Sequence, residues 1–301
     1  MNGKRSINTK FNFIETLKQL VSHYKKIIIY YYIFAFNSKK IFNHDSFETT
    51  KINNEIEKNG FTILKNFFDK NSIIKIKKKF EEQINKNKDL YISENINYKV
   101  SGIKNLSDKI QDVTLKEPLI NIPELINIIT DLRIKTIADN YFKSETFITG
   151  INLRKSYANK LSSSGTQMFH VDRNSYKILK FFIYLNDVTS DDGPTMIVKG
   201  TNKRKHSFWY HKHRYSDEEI YNIYGKNSVE ELIANIGDIQ IADTTGYHKG
   251  KKPTKNNRYM LTLSFGILKD KNQQKFKINS NLFNKLNFAQ KNNISRIVNI
   301  I

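Results

Sequence analysis

Two stretches of this chain carry residues able to hold a metal ion between them. His170-Val171-Asp172 lies mid-chain, and His248 follows far downstream, with Arg258 ten residues beyond it. In an extended chain residues i and i+2 project to the same face, so His170 and Asp172 can grip one ion together while Val171 packs behind them. His248 completes a set of two imidazoles and one carboxylate. Held on one side of an octahedral ion, such a set leaves the other side open for substrates, as in non-haem Fe(II) oxygenases. A His-x-Asp triplet alone is weak in a chain with 7 histidines, so its neighbours have to carry the reading. His211-Lys212-His213 offers another metal-like spacing, but Lys212 and Arg214 would repel a cation there, and it reads as a solvated loop.

The elements that must position these residues are short strands. Strands are expected over 146–153, 177–185, 196–199, 238–243 and 258–267, with turns at Asp192-Gly193-Pro194 and Gly246. That spacing suits an α+β, mainly β chain: a double-sheet jelly roll with helices packed outside. On the last strand Arg258, Met260, Thr262 and Ser264 share one face, and Tyr259, Leu261, Leu263 and Phe265 share the other, giving a polar interior beside an apolar exterior. Upstream, 54–60 reads as a helix end stopped by Gly60, and 61–64 as a strand. Residues 69–83 form an amphipathic helix with Ile73, Ile74, Ile76 and Phe80 as its apolar stripe, and 122–142 reads as one long helical region opened by Pro123. Ser216-Asp217-Glu218-Glu219 starts a helical insert over 215–234. The chain divides into a basic, aromatic extension (1–50), a catalytic domain (51–268) and a polar tail (269–301), the tail reading as a surface helix or irregular chain.

Composition narrows the chemistry. With no cysteine, disulfides, thiolate zinc sites and iron–sulfur clusters are excluded, any metal is held by nitrogen and oxygen, and the chain suits a reducing cytoplasm. The net charge of +21 comes from lysines scattered among asparagines and isoleucines, the signature of a biased coding composition. No arginine-rich helix, zinc finger or paired aromatic RNA-binding motif is present, so no nucleic-acid partner is expected. IIIYYYIFAF (27–36) is too short for a bilayer of about 30 Å, which takes roughly 20 apolar residues, and no small-residue cleavage site follows it. Two readings stay open for 25–40: an element docked on the catalytic domain, or an interfacial anchor at the inner face of a membrane.

With KILKFFIYL (177–185), Asp191-Asp192-Gly193-Pro194-Thr195, Gly200-Thr201-Asn202-Lys203 and Gly237-Asp238-Ile239 around the triplet, residues 54–267 resemble the phytanoyl-CoA dioxygenase family of Fe(II)- and 2-oxoglutarate-dependent oxygenases. The resemblance implies a double-stranded β-helix, a cupin-like jelly roll. It implies that His170, Asp172 and His248 are the iron ligands and that Arg258 pairs with the distal carboxylate of 2-oxoglutarate. A guanidinium fork suits that task because it binds both carboxylate oxygens at once. The chain departs from the family at Gly250, where a small hydroxyl residue is usual, and mildly at Thr201-Asn202, in a loop with no expected catalytic role.

The implied reaction couples O2 and oxidative decarboxylation of 2-oxoglutarate to succinate and CO2 with hydroxylation of an unactivated C–H bond. Its substrate would be a small molecule, lipid or sugar-linked metabolite. Asn152 and Arg154, sharing a strand face, are further candidates for binding the cosubstrate or a substrate acid, as is Gln167, and Phe182 is a candidate for packing over the cosubstrate. Lys155, Lys160 and Arg173 hint at an anionic substrate. Two other classes compete: a non-catalytic metal-binding jelly roll, against which Arg258 speaks, and a basic membrane-associated scaffold, against which the scattered lysines speak.

Overall fold

The computed structural model describes residues 47–86, 90–92, 106–203, 213–267 and 275–301, together with parts of a helix between residues 18 and 32. Twelve strands are present among them: β1 (Phe61–Leu64), β2 (Leu90–Ile92), β3 (Asp112–Leu115), β4 (Phe147–Ser156), β5 (Leu179–Tyr184), β6 (Thr195–Val198), β7 (Val229–Leu232), β8 (Ile239–Asp243), β9 (His248–Gly250), β10 (Arg258–Gly266), β11 (Phe276–Ile278) and β12 (Val298–Ile300). A major sheet of seven strands runs in the order β1-β8-β5-β10-β4-β3-β2, and a minor sheet of three runs β7-β6-β9. Every pairing in both sheets is antiparallel. This is the mixed, mainly β jelly roll that the strand spacing predicts.

Alternation decides which way each strand faces. On β10 Tyr259, Leu261, Leu263 and Phe265 join the main core, together with Leu179, Phe181 and Ile183 of β5 and Ile151 and Leu153 of β4. The intervening residues turn to the minor sheet, where Phe182, Tyr184 and Met260 pack against Ile197 and Leu232. The register puts Met260 opposite Tyr184, Thr262 opposite Phe182, and Ser264 opposite Lys180.

Helices cover the outer face of the major sheet. Lys70–Asn85 is capped by Asp69, which accepts from Ser72 N at 2.8 Å, and it buries Ile73, Ile76, Phe80 and Ile84. Ile74 leaves the expected stripe and is exposed, because one residue turns about 100° around a helix. Gly60 ends the Phe47–Asn59 helix at φ +91, a left-handed conformation in which the chain turns at once into β1.

Three expectations are corrected. The region 122–142 is not one helix: Leu125–Ile129 and Leu132–Phe142 are separate, and Asp131 restarts the second by accepting from Arg133 N at 2.8 Å. The 215–234 insert is α-helical only over Asp217–Tyr224, opened by the expected Ser216–Glu219 capping box; a 3-10 turn over Lys226–Ser228 follows, and then β7 forms an edge of the minor sheet. From residue 275 on the polar tail is folded against the domain: β11 and β12 pair in parallel, and Phe276, Ile278, Ile294, Ile297 and Val298 are buried in the main core.

Candidate active site

The triad is set by main-chain bonds before any side chain is considered. His248 opens β9 opposite Ile197 of β6. His170 faces it as a single bridging residue, with His170 N donating to His248 O and His248 N donating to His170 O, both at 2.9 Å. Asp172 lies in the loop just after this bridge instead of continuing a strand, and its N–H donates to Thr244 O at 2.9 Å. One donor atom from each of His170, Asp172 and His248 lies within 4.8 Å of the others, and the imidazole centroids are 4.3 Å apart.

Protonation suits a metal. Nδ1 of His170 lies 2.9 Å from Met168 O, and Nδ1 of His248 lies 3.0 Å from Gly246 O. A carbonyl only accepts, so Nδ1 carries the hydrogen in each ring and the Nε2 lone pair stays available. Burial, and then the neighbouring His248, pull the His170 pKa down to about 3. Burial lowers His248 as well. For Asp172 burial works the other way, but the Lys180 ammonium and then His248 outweigh it and hold the carboxyl below its usual range. Two neutral imidazoles and an ionised carboxylate form a donor set that fits Fe(II).

The turn leading to His248 is braced from outside the site. Asp243 accepts from Tyr141 Oη at 2.8 Å and from Thr245 Oγ1 at 2.6 Å. Thr201 Oγ1 donates to Val198 O and accepts from Tyr247 N, and Asn202 Nδ2 donates to Ile56 O. The departure at Thr201-Asn202 therefore falls on buried supports of the turn that leads to His248. Their sequence signal is too generic to have revealed this role.

Arg258 is buried at the start of β10. Its Nη1 donates to Gly193 O and its Nη2 to Ser156 Oγ at 3.1 Å, while Nε has no partner. No carboxylate lies within ion-pair distance of it among the described residues. Burial first, and the nearby Arg154 after it, lower its pKa against the opposing pull of Tyr184 and Asp112, and a guanidinium so placed is costly to bury unless an anion joins it. Gly193 sits at φ +76, where an added Cβ would lie 2.4 Å from Lys251 O, so only glycine makes the turn that presents this carbonyl. A Cβ on Gly250 would lie 2.9 Å from Arg258 Nη2, so the guanidinium takes the space of the side chain usual there. Ser156, across the sheet from Arg258, supplies a hydroxyl in its stead.

A family model of phytanoyl-CoA dioxygenases matches residues 56–252. The chain belongs to the phytanoyl-CoA dioxygenase family. It is a 2-oxoglutarate-dependent oxygenase whose cofactors are Fe(II) and 2-oxoglutarate. Among solved structures it is similar to the epimerase SnoN in complex with Fe3+, alpha ketoglutarate and nogalamycin RO, with a TM-score of 0.56 and 10% identity over 73% of this chain and 84% of that one. It is also similar to the non-heme alpha ketoglutarate dependent carbocyclase SnoK, with a TM-score of 0.53 and 13% identity over 76% of this chain and 85% of that one. At such identities the likeness shows the fold alone. No curated protein matches the sequence.

The other sequence candidates of this family member are placed as follows. Arg154 turns to the interior, with Nη1 donating to Thr166 Oγ1 at 3.0 Å and Nε 3.8 Å from Asp112 Oδ1. Asn152, two residues earlier, lies opposite Thr262 of β10. Gln167 is buried, with Oε1 unpartnered. Phe182 belongs to the apolar cluster between the sheets. Lys155 does not face the interior: its ammonium lies over the Tyr157 and Tyr259 rings on the helix-covered side. Lys160 is exposed and Arg173 half-buried. Of the alternative histidine pair, His211 and Lys212 lie outside the described residues. Sequence reasoning missed Ser156 and Lys180, although alternation along β4 and β5 turns both to the interior.

Proposed function

We propose that this protein hydroxylates an unactivated C–H bond of a small-molecule metabolite, with residues 51–268 as the catalytic unit. In this reading His170, Asp172 and His248 hold iron, and Arg258 with Ser156 binds the distal carboxylate of 2-oxoglutarate. The observation that carries it is Arg258: a buried guanidinium with no carboxylate at ion-pair distance among the described residues, packed against Gly250, two residues along β9 from His248. When bound, iron and 2-oxoglutarate supply the oxidising power. The chain's own residues orient and shield. Nδ1–carbonyl bonds keep both Nε2 atoms turned to the metal, and Phe182, Tyr184, Ile197 and Met260 keep the space between the sheets apolar. SnoN and SnoK come from nogalamycin biosynthesis, which supports a small organic substrate here. The test is succinate release from 2-oxoglutarate with added Fe(II), wild type against His170→Ala. Succinate from the wild type alone is expected, and equal inertness of the two would sink the reading.

A peripheral membrane contact is proposed for the N-terminal helix. Val21, Tyr24, Ile28 and Tyr32 fall within roughly 80° of its circumference and are exposed, with Lys18 and Lys25 beside them, while Tyr31 at the edge of this stripe lies 6.0 Å from the Tyr176 ring. An aromatic, apolar stripe edged by lysine suits an anionic bilayer surface. Among the described residues no helix is long and apolar enough to cross a membrane. Co-sedimentation with phosphatidylglycerol vesicles, absent with phosphatidylcholine vesicles and weakened by Tyr24→Ser/Ile28→Ser, is expected; equal behaviour of wild type and variant would refute the contact.

A further inference from the structure

Lys180 lies within the metal site. On β5 the apolar residues Leu179, Phe181 and Ile183 enter the main core, and Lys180 turns inward with Phe182 and Tyr184. Its strand neighbours across the interior face are Ser264 and Ala242, neither of them charged. Its ammonium lies 2.6 Å from Asp172 Oδ2. The same oxygen is 3.8 Å from His248 Nε2, so it belongs to the cluster that faces the metal. Among the described residues Asp172 is the one carboxylate at ion-pair distance from Lys180. Drawing a long flexible cation into a largely closed interior loses hydration and rotamer freedom, and the carboxylate offsets that loss.

We propose that Lys180 competes with the metal for Asp172. A divalent ion binding the triad must share or take over a carboxylate that already has a cation 2.6 Å away, and once bound it repels that cation at short range. Both effects lower metal affinity. The ion pair also keeps the carboxylate in place when the metal leaves, because Asp172 still has a counter-charge. Loading is then an exchange of one cation for another, and occupancy follows the free metal concentration instead of being fixed once at folding. This inference rests on the metal assignment of the triad made above.

The test uses the full chain, stripped with a chelator and titrated calorimetrically with Mn(II). Lys180→Met is expected to bind Mn(II) at least tenfold more tightly than wild type, equivalent to about 1.4 kcal/mol. Lys180→Arg keeps the charge and should stay within about threefold of wild type. The stripped Lys180→Met protein should melt below the stripped wild type yet gain more from Mn(II), since ligand stabilisation grows with the logarithm of the ratio of ligand concentration to Kd. Lys180→Gln serves the same purpose if the methionine variant does not fold. Unchanged or weaker Mn(II) binding in the neutral variants would overturn the competition while leaving the triad standing. Wild-type binding that survives His170→Ala unchanged would instead overturn the triad and this inference with it.

Discussion

The two sheets that enclose the site are unequal. The major sheet has seven strands and a helix-covered outer face that carries the main core. The minor sheet has three strands of three or four residues, and its outer face is closed by a small cluster of Phe169, Met196, Val198, Tyr215, Ile220 and Tyr247. The two also carry different chemistry. His248 lies on the minor sheet and His170 is bridged to it, whereas Arg258 and Ser156 lie on the major sheet. The anchor proposed for the cosubstrate thus stands on the thick side, and the metal ligands on the thin one. Metal binding should therefore depend on packing in the smaller of the two sheets.

The largest effect that would sharpen this division is on the thick side. Arg258→Met should weaken 2-oxoglutarate binding by about 2 kcal/mol or more, roughly thirtyfold, as truncating one partner of a buried charge pair does. Mn(II) affinity of the same variant should be unchanged; a parallel loss of both would mean that the two sheets do not act separately. A matched pair of small core deletions probes the contrast more finely. Ile183→Val on β5 and Ile197→Val on β6 should each cost about 0.5–1.5 kcal/mol in urea unfolding. Only Ile197→Val, opposite His248, should also weaken Mn(II) binding, by a few-fold; equal Mn(II) affinities in the pair would break the comparison.

The strands most legible from their own pattern are those whose alternation runs longest, whereas the short β1, β6 and β8 are marked by the glycine turns that precede them. β4, β5 and β10 span six to ten residues, and their apolar and polar faces fall as the period of two requires. The His170, Asp172 and His248 cluster was legible for a related reason, since each member sits beside a strong strand or turn signal. β2, β7, β9 and β12 are three or four residues long, too short for any periodicity, and only pairing with neighbours makes them strands. The apolar run through Ile126, Ile129, Ile134 and Ile137 keeps a helical rhythm across the break at Asp131, which only the capping bond reveals. In the tail a few buried residues are diluted by lysine and asparagine, so composition hid a folded pair of strands. Lys180 and Ser156 were visible by alternation, but nothing in the linear pattern shows that one meets Asp172 and the other Arg258.

The reciprocal bonds between His170 and His248 have a wider consequence. Because the spacing of the two imidazoles is written in the main chain, the frame does not need its ligands in order to persist. A substitution at either histidine would silence the chemistry and leave the shape intact. On such a frame an active protein and an inert one would differ by a single side chain, and outline alone would not tell them apart.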